Sequence, residues 1–353
     1  MRPPDYAPLD GALDQLAESG PDLRNGMTNH APMAVEALCA LGRADAVPGW
    51  LAQYRGQLMP WPAARVAITE ATWPAALGQL ERAGDWRAYC AGAVAAAPWR
   101  EVLATWTARL APGFCAAATH GIIRVGHAAR SLTVAETPAR RRELGDALAA
   151  WAYAYQTLPA APFAGRPLPP RLALAQVAVV PAAARRFSGT ITSALAALAD
   201  FPAFAPVIGQ LDVDDDPARL LPPLAEAFAR AYLANAHDLL TAIVFIHGVT
   251  SVVALGHVLP ALAPPQQRAA VRFAWQSGCG LYAAFATAPP LDGPAAPPRA
   301  SATTIADLAV AHGDEHAIKF AEACIGLHAQ TGEGLFLTAA HGAQALLPPT
   351  RDA

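Results

Sequence analysis

Lys319 is the only lysine in a chain that carries 24 arginines. A chain that uses arginine wherever a generic cation would serve keeps its one lysine for something a guanidinium cannot do. The segment 311–320 reads AHGDEHAIKF, with His312 and His316 four apart and Lys319 three further on. Read as one helix, 3.6 residues per turn puts these three on a single face. A buried ammonium can lose its proton, whereas a guanidinium keeps its charge. The neutral amine can then add carbon dioxide and become a carbamate, an anionic oxygen ligand with the reach of a long glutamate. The segment therefore points to Lys319 as a carboxylated metal ligand. The plain alternative is a surface lysine paired with Glu315 or Glu322.

The histidines supply the rest of a ligand set. His30 follows Asn29 at the start of the amphipathic segment TNHAPMAVEALCALG. His120 and His127 lie seven apart in THGIIRVGHA, with Arg124 between them. His247 sits in the apolar segment FIHGVTS, and His316 precedes Lys319. A single histidine on an apolar face reads first as a hydrogen-bonded core residue. Four of them (His30, His120, His247, His316) on four apolar helices must each find a partner, and one shared metal satisfies all four. Imidazole suits zinc, copper, iron and nickel, and an added oxygen anion shifts the preference toward iron. Arg124 and His127 share the His120 face and so join the set as candidate catalytic residues. Arg124 could hold a phenolate or carboxylate in a two-pronged contact, or form a structural ion pair. His127 could be a general base or could orient a ligand. Asn29 reads as an N-cap.

Competing motifs are poor. HGDEH has the HxxxH spacing of a zinc-protease helix, but Gly313 stands where the general base belongs. GCGLYA at 278–283 matches GxGxxA without a βαβ context, so no flavin or nicotinamide site is expected. No ExxH pair of a ferritin-like di-iron site, no GxSxG and no P-loop occurs.

The elements that must position these residues are helices. Ala and Leu recur at helical spacing in AVEALCALG, LATWTARLA, ELGDALAAWAYAY and LLPPLAEAFARAYLANAHDLL, and no run alternates with period two. The 33 prolines punctuate rather than interrupt. Start signals stand at Asp10 before 11–18, at Thr119 before His120, and at Thr137-Pro138 before 139–155. Stretches 158–170 and 288–299 read as irregular connections, and the acidic run 212–217 as a turn. The expected fold is all-α, one helical bundle over residues 1–353 with the metal site in its interior. A chain 54% hydrophobic and 15% charged with net charge −3 argues against nucleic-acid binding. Residues 239–267 carry no formal charge and are long enough to span a bilayer, but His247, His257 and Pro260 favour a buried helix of a protein without membrane attachment. Five scattered cysteines without CxxC spacing and the absence of a signal peptide at the start lead us to expect a cytoplasmic protein. The eight tryptophans read as core packing.

With NHAPMAVEALCALG, HGIIRVGHA, IHGVTS and DEHAIKFAEA in this order, the chain resembles the questin oxidase-like family of all-helical proteins from about residue 25 to 345. The resemblance implies a mononuclear non-haem iron, Fe(II), held by His30, His120, His247, His316 and a carbamate on Lys319. Fungal relatives open anthraquinone rings by oxygen insertion or carbon–carbon cleavage. The chain departs from them at Arg124, where they tend to carry histidine, and near His127, where they tend to carry tyrosine. The expected activity is oxidation of a small hydrophobic phenol or quinol by O2, the substrate supplying the electrons. The alternatives are a metal-dependent hydrolase with a carboxylated lysine and a non-catalytic helical scaffold.

Overall fold

The computed structural model of the chain describes residues 2–213 and 216–350. It is 66% helical with one two-stranded sheet, the all-α fold expected. The sheet pairs Ser19–Leu23 antiparallel with Leu58–Pro60. Strands this short leave no alternating pattern to read, so the sequence gives no sign of them.

The charge-free segment forms a helix, Leu239–Val258, started by a reciprocal cap between Asp238 and Thr241. Its near-uniform apolarity leaves it no polar face, and beyond the exposed Leu239 and Leu240 at its start it is largely buried. It packs against the helices His120–Val134, Leu221–Asn235, Pro264–Phe285 and Glu315–Thr331. It is also the one continuous helix among the described residues long and apolar enough to cross a membrane, and 67% of its most apolar window is buried inside the protein. The helix Ala31–Ala40 packs across both His120–Val134 and Glu315–Thr331. Met33, Ile123 and Ala254 meet in a small apolar knot between three of these helices, and the main core runs from Leu9 to Leu347.

Glycines set how closely the helices approach. A Cβ on Gly126 would stand 2.6 Å from both the Cβ and the carbonyl oxygen of Ala254, so the His120–Val134 and Leu239–Val258 backbones touch there. Gly278, in the GCGLYA segment, lies mid-helix under the Phe228 ring, 2.1 Å from where its Cβ would be. That motif is a packing surface and opens no phosphate loop.

Several local expectations need correction. His312 and His316 are not on one helix. Ala302–His312 ends at Gly313 with φ +78°, and Asp314 caps a new helix, Glu315–Thr331. Glycine is the residue that takes this left-handed turn without strain. His312 Nε2 instead bonds the carbonyl of Leu347. The first helix runs Leu9–Leu16, so Asp10 lies inside it. Thr119 precedes its helix but does not cap it, whereas Thr137 accepts from Arg140 N at the start of Pro138–Tyr153. Stretches 158–170 and 288–299 are largely irregular, as expected. Of the acidic run 212–217, residues 214 and 215 lie outside the described residues. All five cysteines are free and buried.

Candidate metal centre

Four helices bring four imidazoles to one point. His30 stands at the N-cap of Ala31–Ala40, His120 opens His120–Val134, His247 lies mid-way along Leu239–Val258, and His316 is in the first turn of Glu315–Thr331. All are at least nine-tenths buried. In the five ring pairs that meet, centroids lie 4.4 Å (His120–His247) to 6.5 Å (His120–His316) apart. Ligand nitrogens of His30, His120 and His316 fall within 4.8 Å of one another, and His120 Nε2 is 3.0 Å from His247 Nε2.

Each ring meets an oxygen at Nδ1. His120 Nδ1 bonds Ala117 O, and His247 Nδ1 bonds Ile243 O at 2.6 Å. His30 Nδ1 is 3.2 Å from Glu315 Oε1, without the alignment of a hydrogen bond, and His316 Nδ1 is 3.7 Å from Asp314 Oδ1. A carbonyl can only accept, so Nδ1 of His120 and His247 carries the hydrogen and Nε2 is the free lone pair. Two such lone pairs at 3.0 Å repel unless a cation lies between them. Neighbouring ligands each about 2.1 Å from a six-coordinate ion stand about 3.0 Å apart. The donor set therefore fits a metal of the imidazole-binding group. Burial first, then neighbouring imidazoles and the Lys319 cation, holds His30, His120 and His247 well below the ordinary histidine pKa, so they stay neutral as ligands must.

The loop before His120 is strained. Ala117, Ala118 and Thr119 have φ of 48°, 55° and 74°, a left-handed run that costs non-glycine residues about 1–2 kcal/mol each. This turn aims the Ala117 carbonyl at the His120 ring, and strain of this kind collects where a site over-determines its backbone. His30 is fixed from two sides. Its N–H donates to Tyr54 Oη at 3.0 Å, while Asn29 accepts from Ala31 N and donates to Gly20 O.

Lys319 is 3% exposed, which removes the surface-lysine alternative. Glu322 pairs with Arg130 rather than with Lys319. No hydrogen bond or ion pair is made by Lys319 among the described residues. Burial pulls its pKa down to about 8, against the opposing pull of Glu315 and Asp314. About a tenth of the amine is therefore neutral at pH 7.

His30, His120, His247 and His316 line one end of a cavity of about 440 Å³. Its rim carries Met27, Leu80 and Leu240, large apolar side chains exposed to solvent. None of the tryptophans lines it.

Arg124 and His127 do not join this group. Arg124 is buried and makes a two-pronged pair with Glu143, at 2.7 and 2.9 Å, the structural ion pair that was its alternative reading. His127 bonds Glu36 Oε2 at 2.6 Å in a buried network with Tyr6, Arg130 and Glu322. Neither lines the cavity. They share a helix face with His120, but residues four and seven positions on lie one and two turns deeper in the bundle. Sequence reasoning named Glu315 only as a possible surface partner of Lys319, and passed over Asp314, Tyr54, Glu36 and Glu143. The Asp-Glu pair before His316 was readable as a cap with an acidic first turn. The others are set by tertiary contact alone.

Residues 27–324 match a family model described as questin oxidase-like. The chain belongs to this family. The matched stretch contains all four clustered histidines and Lys319. The family takes its name from an oxidase, which places the chain among the oxidoreductases. No curated protein matches the chain significantly.

Proposed function

We propose that this member of the questin oxidase-like family is a mononuclear non-haem iron oxygenase. On this reading it oxidises a hydrophobic phenol or quinol with O2, by ring opening or oxygen insertion. The observation that carries the proposal is the convergence of four buried imidazoles on a cavity with an apolar rim, with the buried Lys319 near enough to act on three of them.

His30, His120, His247 and His316 would hold the ion, with Lys319 as a fifth ligand after carboxylation. Imidazoles beside an ammonium are a poor seat for a divalent cation. The ammonium first loses one proton; the neutral amine then forms an N–C bond with CO2 and releases a second, so that a +1 group becomes a −1 carbamate. Iron held there would supply activation of O2, with electrons drawn from the bound substrate. The protein's own contribution is orientation and exclusion of water. Ala117 O and Ile243 O fix two rings, Asp314 and Glu315 stand behind the other two, and the apolar rim admits aromatic rings.

A two-metal hydrolase needs bridging or terminal carboxylates. The nearest, Asp314 and Glu315, group with His316. Asp314 Oδ1 already accepts the N–H of His316 and Ala317, so it is committed to the helix. The deciding experiment is turnover of a quinol panel by iron-loaded protein in an oxygen electrode. Consumption of O2 in step with loss of the quinol is expected, and equal turnover under nitrogen would reject the oxygenase.

A further inference from the structure

Across the same cavity from nothing but neutral groups, one charged side chain stands out. Among the described residues that line it, Asp22 is the only Asp, Glu, Lys or Arg. Tyr153, also lining it, donates its hydroxyl to Asp22 Oδ1 at 2.7 Å. The placement is rigid on both sides. Tyr153 ends the helix Pro138–Tyr153, and Asp22 lies in the strand Ser19–Leu23, which Asn29 ties to the His30 backbone through Gly20. With the Tyr153 hydrogen already given to Asp22, what the pair still offers is acceptors: the second carboxylate oxygen and the phenolic oxygen lone pairs. The negative charge of Asp22 disfavours an anionic ligand oxygen beside it, and with the Tyr153 hydrogen committed the pair has no donor to give a ketone oxygen. A neutral ligand with an O–H finds two acceptors.

We propose that Asp22 and Tyr153 form the substrate-hydroxyl site of this cavity, selecting a neutral phenol and accepting its proton at Asp22. The phenol O–H bond breaks, an O–H bond forms on the carboxylate, and the electron pair stays on the substrate oxygen as a phenolate. The Tyr153 hydroxyl can then turn from Asp22 to donate to that oxygen. A phenolate is more readily oxidised than its phenol, so the transfer prepares the substrate for the oxidation proposed above, and the inference rests on that reading. Asp22 is a solvent-exposed residue of its strand, and partial desolvation raises its pKa against the opposing Tyr153 hydrogen bond, which strengthens it as a base.

The test uses two three-ring probes that differ in one hydrogen-bond donor, 2-hydroxyanthraquinone and its methyl ether 2-methoxyanthraquinone. Binding of each to the full-length protein is titrated by visible absorbance, where the phenolate of the first probe is red-shifted. The wild type should bind the hydroxyl probe at least tenfold more tightly and show the phenolate band. Asp22→Asn replaces an acceptor with an amide donor, and should abolish both the preference and the band. Tyr153→Phe should reduce the preference to threefold or less. Leu80→Ala, at the rim, should weaken both probes alike and keep the preference. Iron content and thermal midpoint should be unchanged in Asp22→Asn. Equal binding of the two probes by the wild type, binding of neither, or a preference that survives Asp22→Asn overturns the proposal. Loss of iron from Asp22→Asn also overturns it, since Asp22 would then serve the metal centre. A wild type that discriminates the probes but consumes no O2 with any quinol would retain this hydroxyl site and reject the oxygenase reading instead.

Discussion

Replacing Gly126 with alanine should loosen the metal centre from two helical turns away. The new Cβ would lie 2.6 Å from the Ala254 Cβ and carbonyl oxygen and 2.7 Å from its Cα. Carbon contacts settle at about 3.5–4 Å, so about 1 Å must open between the His120–Val134 and Leu239–Val258 helices. The obstructing atoms are mainly backbone and cannot rotate away. Those helices hold His120 and His247, whose Nε2 atoms are 3.0 Å apart. Metal–ligand distances tolerate only about 0.2 Å, so even a fraction of the displacement reaching the rings should weaken binding at least tenfold, or about 1.4 kcal/mol. Overpacking alone costs about 1–3 kcal/mol, and alanine returns about 1 kcal/mol through helix propensity. Gly248→Ala is the control. It gains the same propensity, but its Cβ meets Phe228 at an ordinary 3.4 Å. The assay is thermal unfolding of both variants without oxygen, with and without ferrous iron and bicarbonate. Iron should raise the midpoint of Gly248→Ala as it does the wild type, and raise that of Gly126→Ala much less. Equal shifts would refute the argument that the helix approach at Gly126 sets the ligand geometry.

Arg124→Met strands the buried Glu143 carboxylate, and should cost about 3–5 kcal/mol in urea unfolding, while Arg124→Met with Glu143→Leu should cost much less. A double variant no more stable than the single would remove the pair as the explanation. Burial raises Asp146 to about 6 from an ordinary 3.8. Its protonated form is thus favoured in the folded state, and that stability, present below about pH 4, is lost as pH rises through about 6. Between pH 4 and 7, Asp146→Asn should gain on the wild type by about 3 kcal/mol, and parallel pH profiles would contradict the assignment. Ala118→Gly relieves a left-handed φ of 55°. It should leave stability unchanged or higher, where glycine for alanine elsewhere costs about 0.5–1 kcal/mol. A loss of that ordinary size on thermal melting would mean that the loop before His120 stores no strain.

The all-α fold was legible because apolar residues recur at helical spacing with proline between segments, and because the Leu239–Val258 helix has no polar face to misplace. The four histidines were legible for a related reason. Each stands within or at the start of an apolar helix, where an unpartnered buried imidazole is costly. The break at Gly313 was present in the sequence as a glycine followed by Asp-Glu, and was missed because HxxxHxxK fits one continuous helix equally well. Arg124 and His127 show the limit of face periodicity. It places them beside His120 on the cylinder, while Glu143 and Glu36, contributed by other helices, decide what they bond. The Asp22–Tyr153 pair joins residues 131 apart in sequence, and no local pattern announces it.

The central claim is that Lys319 and four histidines form one iron site. Its most direct test is elemental analysis of the wild type and Lys319→Arg, each purified without oxygen and supplied with ferrous iron and 13C-bicarbonate, with carbon NMR of the same samples. About one iron per wild-type chain, a carbamate signal that disappears on acidification, and loss of both in Lys319→Arg are predicted. Iron retained at full occupancy in Lys319→Arg, or a wild type that takes up none, would contradict the account.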